Sequence, residues 1–203
     1  MSTLKQQLLG QFRRPEGVLG RIAGQIMARR SSNLERNRWT VDLLDLSPDA
    51  RVLEIGYGPG VALGWVLEEI PDGEAVGLDF SETMQAAAKR RNSKAVSEGR
   101  LKLLVGDVEH PPKGLGDFDA VFATNVAFFW DDPVETVRGL AGHLRPGGRL
   151  ALTIQPRGEN PTKQETEAAA DRFTNVMIEA GLSNVEVRFL ELDPPATCVT
   201  GRR

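Results

Sequence analysis

Three glycines follow a short apolar run that carries a single carboxylate. Residues 51–60 read RVLEIGYGPG, with Glu54 inside the apolar run and a glycine at every second position after it. Between a strand and a helix, such a loop lets the backbone approach a ligand closely, as in nucleotide-binding α/β folds. It also serves as a tight structural turn. The residues alone therefore leave two interpretations, a packing turn and a cradle for a nucleotide-like ligand.

The spacing of these glycines narrows the ligand class. The dinucleotide fingerprint is G-x-G-x-x-G, whereas this chain has G-x-G-x-G with Val61 where the third glycine of that fingerprint stands. A P-loop requires Lys followed by Ser or Thr, and neither pair follows the loop. Phosphate binding is therefore poorly supported, and an adenosine-containing ligand without phosphate fits better.

Two further carboxylates end the next apolar runs. Asp79 lies in GLDFSE and could accept hydrogen bonds from both hydroxyls of a ribose. Asp107 lies in VGDVE and could accept from an adenine amino group, with Val108 against the ring. Each alone is explained as a turn residue. Three such groups at successive strand ends indicate a nucleoside site.

These residues need a parallel sheet to bring them together. Short apolar runs alternate with helical patterns, which is typical of strands buried on both faces and of a doubly wound α/β domain. The pattern ends in a predicted hairpin at the sheet edge. The predicted strands are 50–55, 74–79, 101–106, 119–124, 149–154, 184–192 and 196–202, and the predicted helices of this domain are 61–70, 81–99, 132–144 and 164–181.

The first 46 residues form a predicted N-terminal helical extension, and residues 47–203 form the predicted ligand-binding domain. A helix is predicted over 17–30, and a second one is predicted from a capping box at 32–35 to Leu46. These helices either pad the sheet or form a lid over the site. Contact with a membrane surface is the less favoured alternative, because the apolar face is short.

Composition excludes several classes of protein. The chain has 203 residues, a net charge of −3, one cysteine and two histidines. A disulfide framework and a Cys-rich zinc site are excluded, and broad nucleic-acid binding is disfavoured. No apolar run approaches the roughly 20 residues needed to span a bilayer, and the N-terminus lacks the apolar core of a secretory signal. We therefore predict a cytoplasmic protein.

The motif set as a whole resembles the class I S-adenosylmethionine-dependent methyltransferases. The resemblance covers residues 50–155 and rests on VLEIGYGPG, GLDFSETM, VGDVE and LRPGGRLAL. It implies a Rossmann-like sheet of seven strands, mostly parallel with an antiparallel last strand. It also implies S-adenosyl-L-methionine as cofactor and S-adenosyl-L-homocysteine as product. The likeness is strongest to small, stand-alone bacterial enzymes that act on small molecules.

The resemblance also assigns cofactor-binding residues. Glu54 and the glycine loop would hold the methionine part, Asp79 the ribose, and Asn125 would line the pocket near the sulfonium. The residues implied to bind the cofactor are Glu54, Gly56, Tyr57, Gly58, Gly60, Asp79, Phe80, Met84, Asp107, Val108 and Asn125.

The acceptor side is predicted from TNVAFFWDDP, residues 124–133. Aromatic residues after the fourth strand would wall an apolar pocket, or else pack the next helix on the sheet. Residues of the N-terminal extension could close that pocket from above. The candidate pocket residues are Phe128, Phe129, Trp130, Asn37 and Trp39.

No general base is assigned from the sequence. His110 is a weak candidate, whereas His143 and Cys198 are interpreted as structural. No metal is predicted, since Asp132 is better explained as a helix N-cap. The segment after the fourth strand lacks the prolines of enzymes that methylate base amino groups, so nucleic-acid substrates are disfavoured.

The leading hypothesis is therefore methyl transfer to a small, partly apolar molecule by in-line displacement, driven mainly by proximity and orientation. One alternative is a non-catalytic binding module or partner subunit of the same fold. Another is an NAD-dependent oxidoreductase. The predicted partner is a small-molecule acceptor, with neither nucleic acid nor membrane, and the predicted assembly is a monomer or a homodimer.

Overall fold

A computed structural model describes residues 31–112, 114–157 and 161–203. The predicted helix over 17–30 lies outside the described residues. Within the described ranges, no helix is both long and apolar enough to cross a membrane.

The described chain alternates strands and helices as the sequence predicts. The seven strands are β1 (Arg51–Ile55), β2 (Glu74–Asp79), β3 (Leu101–Val105), β4 (Phe118–Thr124), β5 (Leu144–Ile154), β6 (Ser183–Leu190) and β7 (Ala196–Arg202). The six described α-helices are α1 (Ser31–Asp42), α2 (Val61–Glu69), α3 (Glu82–Arg91), α4 (Ser93–Ser97), α5 (Pro133–Gly142) and α6 (Lys163–Glu179), with a short 3₁₀ helix at Ala127–Phe129.

All seven strands form one sheet in the order β3-β2-β1-β4-β5-β7-β6. The β1 strand pairs in parallel with β2 and β4, β2 with β3, and β4 with β5, while β7 runs antiparallel to both β5 and β6. The strand order reverses direction at β1. Ligands of such sheets bind where that reversal occurs, at the carboxyl ends of the strands.

The central strands of the sheet are buried on both faces, as continuous apolar strands require. On one face, Leu53 and Ile55 of β1 pack in a cluster with Phe173 of α6. On the other face, Val52 packs with residues of α1, α2 and α3, such as Leu63. The predicted doubly wound, mostly parallel sheet with an antiparallel last strand is thus confirmed.

The bounds predicted for three elements were wrong. The single helix predicted over 81–99 is interrupted at Asn92, where the backbone leaves helical geometry. The side chain of Asn92 donates to the carbonyls of Gly60 and Ala88. The β5 strand begins at Leu144 rather than 149, with a register shift against β4. In α1, Ser32 lies inside the helix rather than at its cap, and the helix ends at Asp42 rather than Leu46.

The α1 helix is fixed against the end of β5. The Thr40 hydroxyl lies 2.8 Å from the hydroxyl of Thr153, and Arg149 donates to the carbonyl of Leu43. Both Thr40 and Thr153 are buried. The helix therefore forms a wall beside the carboxyl ends of the central strands.

Candidate functional site

One cavity of about 360 Å³ opens at the carboxyl ends of β1 to β4. Its volume suits a small molecule or nucleoside cofactor. Thirteen of the sixteen residues predicted for the cofactor and the acceptor line it. They are Asn37, Glu54, Gly56, Tyr57, Gly58, Asp79, Phe80, Met84, Asp107, Val108, Asn125, Phe129 and Trp130.

The glycine loop is fixed by its own hydrogen bonds. The N–H of Gly56 donates to the carbonyl of Leu78 at 2.7 Å, and that of Gly60 to the carbonyl of Tyr57 at 2.9 Å. The N–H of Gly58 donates to Oδ2 of Asp79 at 2.9 Å. Since all three glycine N–H groups are engaged, the loop is not a nest for a phosphate. The loop geometry therefore agrees with a ligand that lacks phosphate.

Gly60, one of the residues predicted to bind the cofactor, lies at a close contact between two helices. It is absent from the cavity wall and stands at the N-cap of α2 with φ +72°. A Cβ there would lie 2.8 Å from the Cβ of Ala88 and from Nδ2 of Asn92. The absence of a side chain at Gly60 allows α2 and α3 to approach closely.

Asp79 lies at the end of β2, where the sequence analysis placed it. Its Oδ1 accepts from the N–H of Ser81 at 2.9 Å, while its Oδ2 accepts from Gly58. Burial raises the pKa of Asp79, and these two hydrogen bonds oppose that effect. Because each carboxylate oxygen has a further lone pair, the side chain can still accept from two hydroxyls of a ligand.

Glu54 is fully buried inside the sheet and lines the same cavity. Burial raises its pKa to about 8, helped by the negative charge of Asp79 and opposed by a hydrogen bond from the backbone of Leu63. Its Oε2 has no hydrogen-bond partner among the described residues. A cationic ligand beside Glu54 would supply that partner and would favour the carboxylate.

Unsatisfied polar atoms converge on this cavity. Among the described residues, five buried side-chain atoms lack a hydrogen-bond partner. Four of them belong to residues that line the cavity: Arg36 Nε, Glu54 Oε2, Thr124 Oγ1 and Asn125 Nδ2. Buried polar groups are almost always paired, so this concentration indicates a site that a ligand completes.

Asn125 is held in a position that points to function. It follows β4 with φ +57°, a left-handed conformation uncommon for a residue other than glycine. Its Oδ1 accepts from the N–H of Gln155 at 2.7 Å, which leaves its buried Nδ2 as an unused donor. The side chain can therefore donate to a ligand in the cavity.

Apolar side chains surround the cavity on the predicted adenine side. Met84 is buried, whereas the ring of Phe80 is 48% exposed beside Asp79. An exposed aromatic ring at the rim of a cavity is a surface on which a planar group can pack. Tyr57 lies beneath, with its hydroxyl donating to the carbonyl of Leu104 at 3.2 Å.

Two of the three aromatic residues after β4 line the cavity. Trp130 lines the cavity and is 7% exposed, and Phe129 lines it at the rim. Glu109 holds the following turn, because its Oε1 accepts from the N–H groups of Asp131 and Asp132. These contacts fix the loop that carries Trp130.

Two predicted pocket residues lie elsewhere. Phe128 is absent from the cavity wall, and its ring packs edge-on against Phe173 of α6 at 6.0 Å. Trp39 is also absent from the wall and packs against the core cluster that contains α2. Phe128 follows the turn of the 3₁₀ helix away from the cavity, and Trp39 lies on the side of α1 that faces α2.

Neither histidine lines the cavity. His110 is exposed, with Nδ1 3.3 Å from Oδ2 of Asp107. His143 stands at the end of α5, with Nδ1 3.0 Å from the carbonyl of Gly116, and Cys198 is buried in the core. Across the described residues, no group of three or more His, Cys, Asp and Glu side chains is arranged to hold a metal ion.

The sequence analysis missed the basic wall of the cavity. Asn33 and Arg36 of α1 line it, as does Arg157 after β5. A signal was present: Asn33, Arg36 and Thr40 are spaced three and four residues apart, so they share one helix face. A polar stripe on the buried face of a helix is the pattern that would have identified them.

Comparison with known proteins agrees with this geometry. A family model for a methyltransferase domain matches residues 52–148. The chain is 29% identical over 183 residues to an uncharacterized methyltransferase, YdaC, of Bacillus subtilis (strain 168), covering 90% of this chain and 98% of that protein. It is 30% identical over 169 residues to a trans-aconitate 2-methyltransferase of Sinorhizobium fredii, covering 81% of this chain and 62% of that protein.

The fold is also found among solved structures. A SAM-dependent methyltransferase from Aquifex aeolicus superposes with a TM-score of 0.68 at 20% identity, over 85% of this chain and 93% of that one. At that identity the likeness concerns the fold alone. The chain spans about half the length, or less, of several other curated relatives that it matches.

Proposed function

Because this chain belongs to the class I S-adenosylmethionine-dependent methyltransferases, we propose that it methylates a small, partly apolar molecule. The cofactor of the family is S-adenosyl-L-methionine, which supplies a methyl group activated by a sulfonium. The observation that carries the proposal is the convergence of Glu54, Asp79 and Asn125 on one cavity at the carboxyl ends of β1, β2 and β4.

The cofactor would lie across these strand ends. Asp79 would accept from the ribose hydroxyls, because its oxygens retain acceptor capacity. Phe80 and Val108 would flank the adenine, and Asp107 would accept from its amino group. Glu54 would face the cationic methionine part, which suits a buried acid with an unpartnered oxygen.

The acceptor would enter beside Trp130 and Phe129. Both rings line the cavity next to Asn125, so an apolar part of the acceptor would pack on them. Asn37 of α1 would close the opposite side. The protein's contribution to methyl transfer is then to hold acceptor and methyl group in line, an effect that reaches roughly 7–11 kcal/mol in favourable reactions.

No side chain of the described cavity is placed as a general base, and the reaction class does not require one when the acceptor is already nucleophilic. His110 does not line the cavity and its imidazole is exposed, so we assign it no catalytic role. We further propose that the protein acts in the cytoplasm as a monomer or homodimer, with a boundary near residue 46 between the N-terminal extension and the catalytic domain.

The rival functions are less well supported. A dinucleotide needs donors for its phosphates, whereas the glycine N–H groups of the loop are engaged and the carboxylate of Asp79 would repel phosphate. A non-catalytic binding module would bind the cofactor without turnover. A measurement of methylated product distinguishes this alternative from an enzyme.

The first experiment is calorimetric titration with S-adenosylmethionine, S-adenosylhomocysteine and NAD. Binding of the first two but not of NAD supports the cofactor assignment and justifies a screen of small acceptors, read out as S-adenosylhomocysteine released. Binding of NAD alone would contradict the proposal. Cofactor binding with no product across a broad screen would favour the non-catalytic alternative.

A further inference from the structure

A buried guanidinium lies in the wall of the cavity. Arg36 of α1 is 3% exposed. Its Nη1 donates to Oε1 of Gln155 and its Nη2 donates to Oδ1 of Asn33 at 2.8 Å. Its Nε is buried and has no hydrogen-bond partner in the part of the chain that the structure describes. A guanidinium has five N–H donors, so three of them remain unused.

The partners of Arg36 are neutral. Both acceptors are amide oxygens, and within the described ranges no Asp or Glu side chain forms an ion pair with Arg36. Burial, with the nearby charge of Arg157, lowers the pKa of Arg36 to about 9, so the group is still a cation at neutral pH. A buried cation without a counter-charge is costly. The cost is offset when a ligand supplies the anion.

Arg36 is supported from a different strand than the predicted cofactor contacts. Those contacts come from the ends of β1 to β4, whereas Arg36 is anchored to Gln155, which follows β5. Gln155 is itself held by the carbonyl of Pro194, to which its Nε2 donates at 2.8 Å. The guanidinium is therefore presented from a rigid support on the β5 side of the cavity.

Charge is distributed unevenly around the cavity. Arg36 and Arg157 are the basic side chains among the described residues that line it, and they come from α1 and from the segment after β5. The acidic side chains come from β1 and from the ends of β2, β3 and β4. They are Glu54, Asp79, Asp107, Glu109 and Asp131. An acceptor on the β5 side thus meets positive charge, with the aromatic wall of Phe129 and Trp130 beside it.

We propose that Arg36 binds a carboxylate of the methyl acceptor, so that the substrate is an organic acid with an apolar part. This inference rests on the proposed function, because it concerns the acceptor of that reaction. A carboxylate can take two parallel hydrogen bonds from one guanidinium, which sets the orientation of the acceptor as well as its affinity. Arg36 is therefore a specificity-determining residue.

The cofactor's own carboxylate has the same chemistry, and the experiment must separate the two sources. One arm titrates S-adenosylmethionine and decarboxylated S-adenosylmethionine into wild type and Arg36→Gln. The second arm titrates matched acid and amide probes, hexanoate with hexanamide and 3-phenylpropionate with 3-phenylpropionamide. It is run with and without saturating S-adenosylhomocysteine, so it does not depend on the cofactor assignment.

Two further variants keep the test interpretable. Arg36→Lys retains the charge in case Arg36→Gln fails to fold. Arg38→Gln removes one positive charge from the same helix at a half-exposed position, where Arg38 pairs with Asp42 and Glu69 away from the cavity. Circular dichroism and melting temperature of each variant establish that the fold is retained.

The expected result is that wild type and Arg38→Gln bind an acid at least tenfold more tightly than its amide. The preference for the acid over its amide should fall below twofold in Arg36→Gln. In Arg36→Lys it should stay above twofold, because the lysine keeps the charge of the hydrogen-bond donor. Equal affinity for acids and amides in wild type, or an unchanged preference in Arg36→Gln, would overturn the inference. So would a tenfold loss of S-adenosylmethionine affinity in Arg36→Gln with none for the decarboxylated cofactor, because Arg36 would then serve the cofactor. Failure of the protein to bind any form of the cofactor would instead refute the proposed function.

Discussion

The N–H of Gly58 donates to Oδ2 of Asp79 at 2.9 Å, which joins the loop after β1 to the end of β2. The two residues are 21 positions apart in the chain, but the strands that they follow and end are neighbours in the sheet. One carboxylate therefore both holds the glycine loop and faces the cavity. This link explains why the loop is fixed before any ligand arrives, and it makes Asp79 the most informative residue to change.

Asp79→Ala should weaken binding of S-adenosylhomocysteine by about a hundredfold or more. Two hydrogen bonds from ribose hydroxyls to a charged acceptor would be lost, and each is worth about 1.5–3 kcal/mol. The variant should also be less stable, since the N–H groups of Gly58 and Ser81 would lose their acceptor. Isothermal titration calorimetry measures the first effect and thermal unfolding the second.

Glu74→Gln is the matched control for that experiment. Glu74 begins the same strand that Asp79 ends, and it is exposed and paired with Arg51 at the opposite edge of the sheet. Its removal should leave cofactor affinity within twofold of wild type. Comparable losses in both variants would mean that the effect of Asp79→Ala is general destabilisation, against the ribose assignment.

Glu54→Gln should stabilise the protein at alkaline pH relative to wild type. The pKa of Glu54 is about 8 in the folded state against 4.5 for an ordinary glutamate, so the folded protein holds the proton more tightly than the unfolded chain. For a raised pKa, the contribution to stability is full below pH 4.5 and is lost as pH rises to about 8. Because glutamine does not titrate, Glu54→Gln does not lose this stability as pH rises.

The measurement is the melting temperature of both proteins at pH 5 and pH 8.5. The advantage of Glu54→Gln should be larger at pH 8.5, at roughly 2–4 °C for each kcal/mol in a chain of this size. The same variant should bind S-adenosylmethionine more weakly, because a neutral amide replaces the carboxylate. A difference in melting temperature that does not change with pH would contradict a raised pKa for Glu54.

Gly56→Ala should destabilise the protein by about 2–4 kcal/mol. Gly56 has φ +68°, and a Cβ there would lie 2.3 Å from Cγ1 of Val126. Strain and overpacking therefore add. Gly99→Ala is the control, since Gly99 has φ +75° but open space around it, and it should cost only about 1–2 kcal/mol.

Adding Val126→Ala to Gly56→Ala makes room for the new methyl group. The double variant should recover part of the lost stability, as measured by urea unfolding. If Gly56→Ala and Gly99→Ala were equally destabilised, the close approach of Val126 to the loop would be of no consequence.

Trp130→Ala and Phe128→Ala should affect different properties. Trp130 lines the cavity, so its removal should raise the KM for an identified acceptor tenfold or more. Phe128 packs on Phe173 outside the cavity, so its removal should lower the melting temperature and leave KM within twofold. Steady-state kinetics and thermal unfolding of both variants check the assignment, which a rise in KM in Phe128→Ala would contradict.

The order of elements could be read from the sequence because it depends on local signals. Continuous apolar runs specify strands buried on both faces, and the caps at Ser81 and Asp132 mark helix starts that the structure contains. Parallel strands place their carboxyl ends at one edge. The carboxylates Glu54, Asp79 and Asp107 could therefore be expected in one cavity from their positions in the chain, and they line it together.

Only the tertiary structure separates the aromatic residues that line the cavity from the one that packs on α6. Phe128 and Trp130 are two positions apart, and the 3₁₀ helix turns one toward α6 and the other into the cavity. The positions of Trp39 and Arg36 likewise depend on how α1 packs. That packing is set by the contacts of α1 with α2 and β5. Spacing along a chain fixes which residues share a face, but not what that face meets.

By itself, the sequence determined the doubly wound sheet and the strand ends that carry polar groups, because both follow from local patterns. The glycine spacing determined that the ligand lacks phosphate. Only the tertiary structure decided that the guanidinium of Arg36 is buried against Gln155, 119 residues away, with neutral partners. Burial and the lack of a counter-charge are properties of contacts distant in sequence, so no local pattern encodes them.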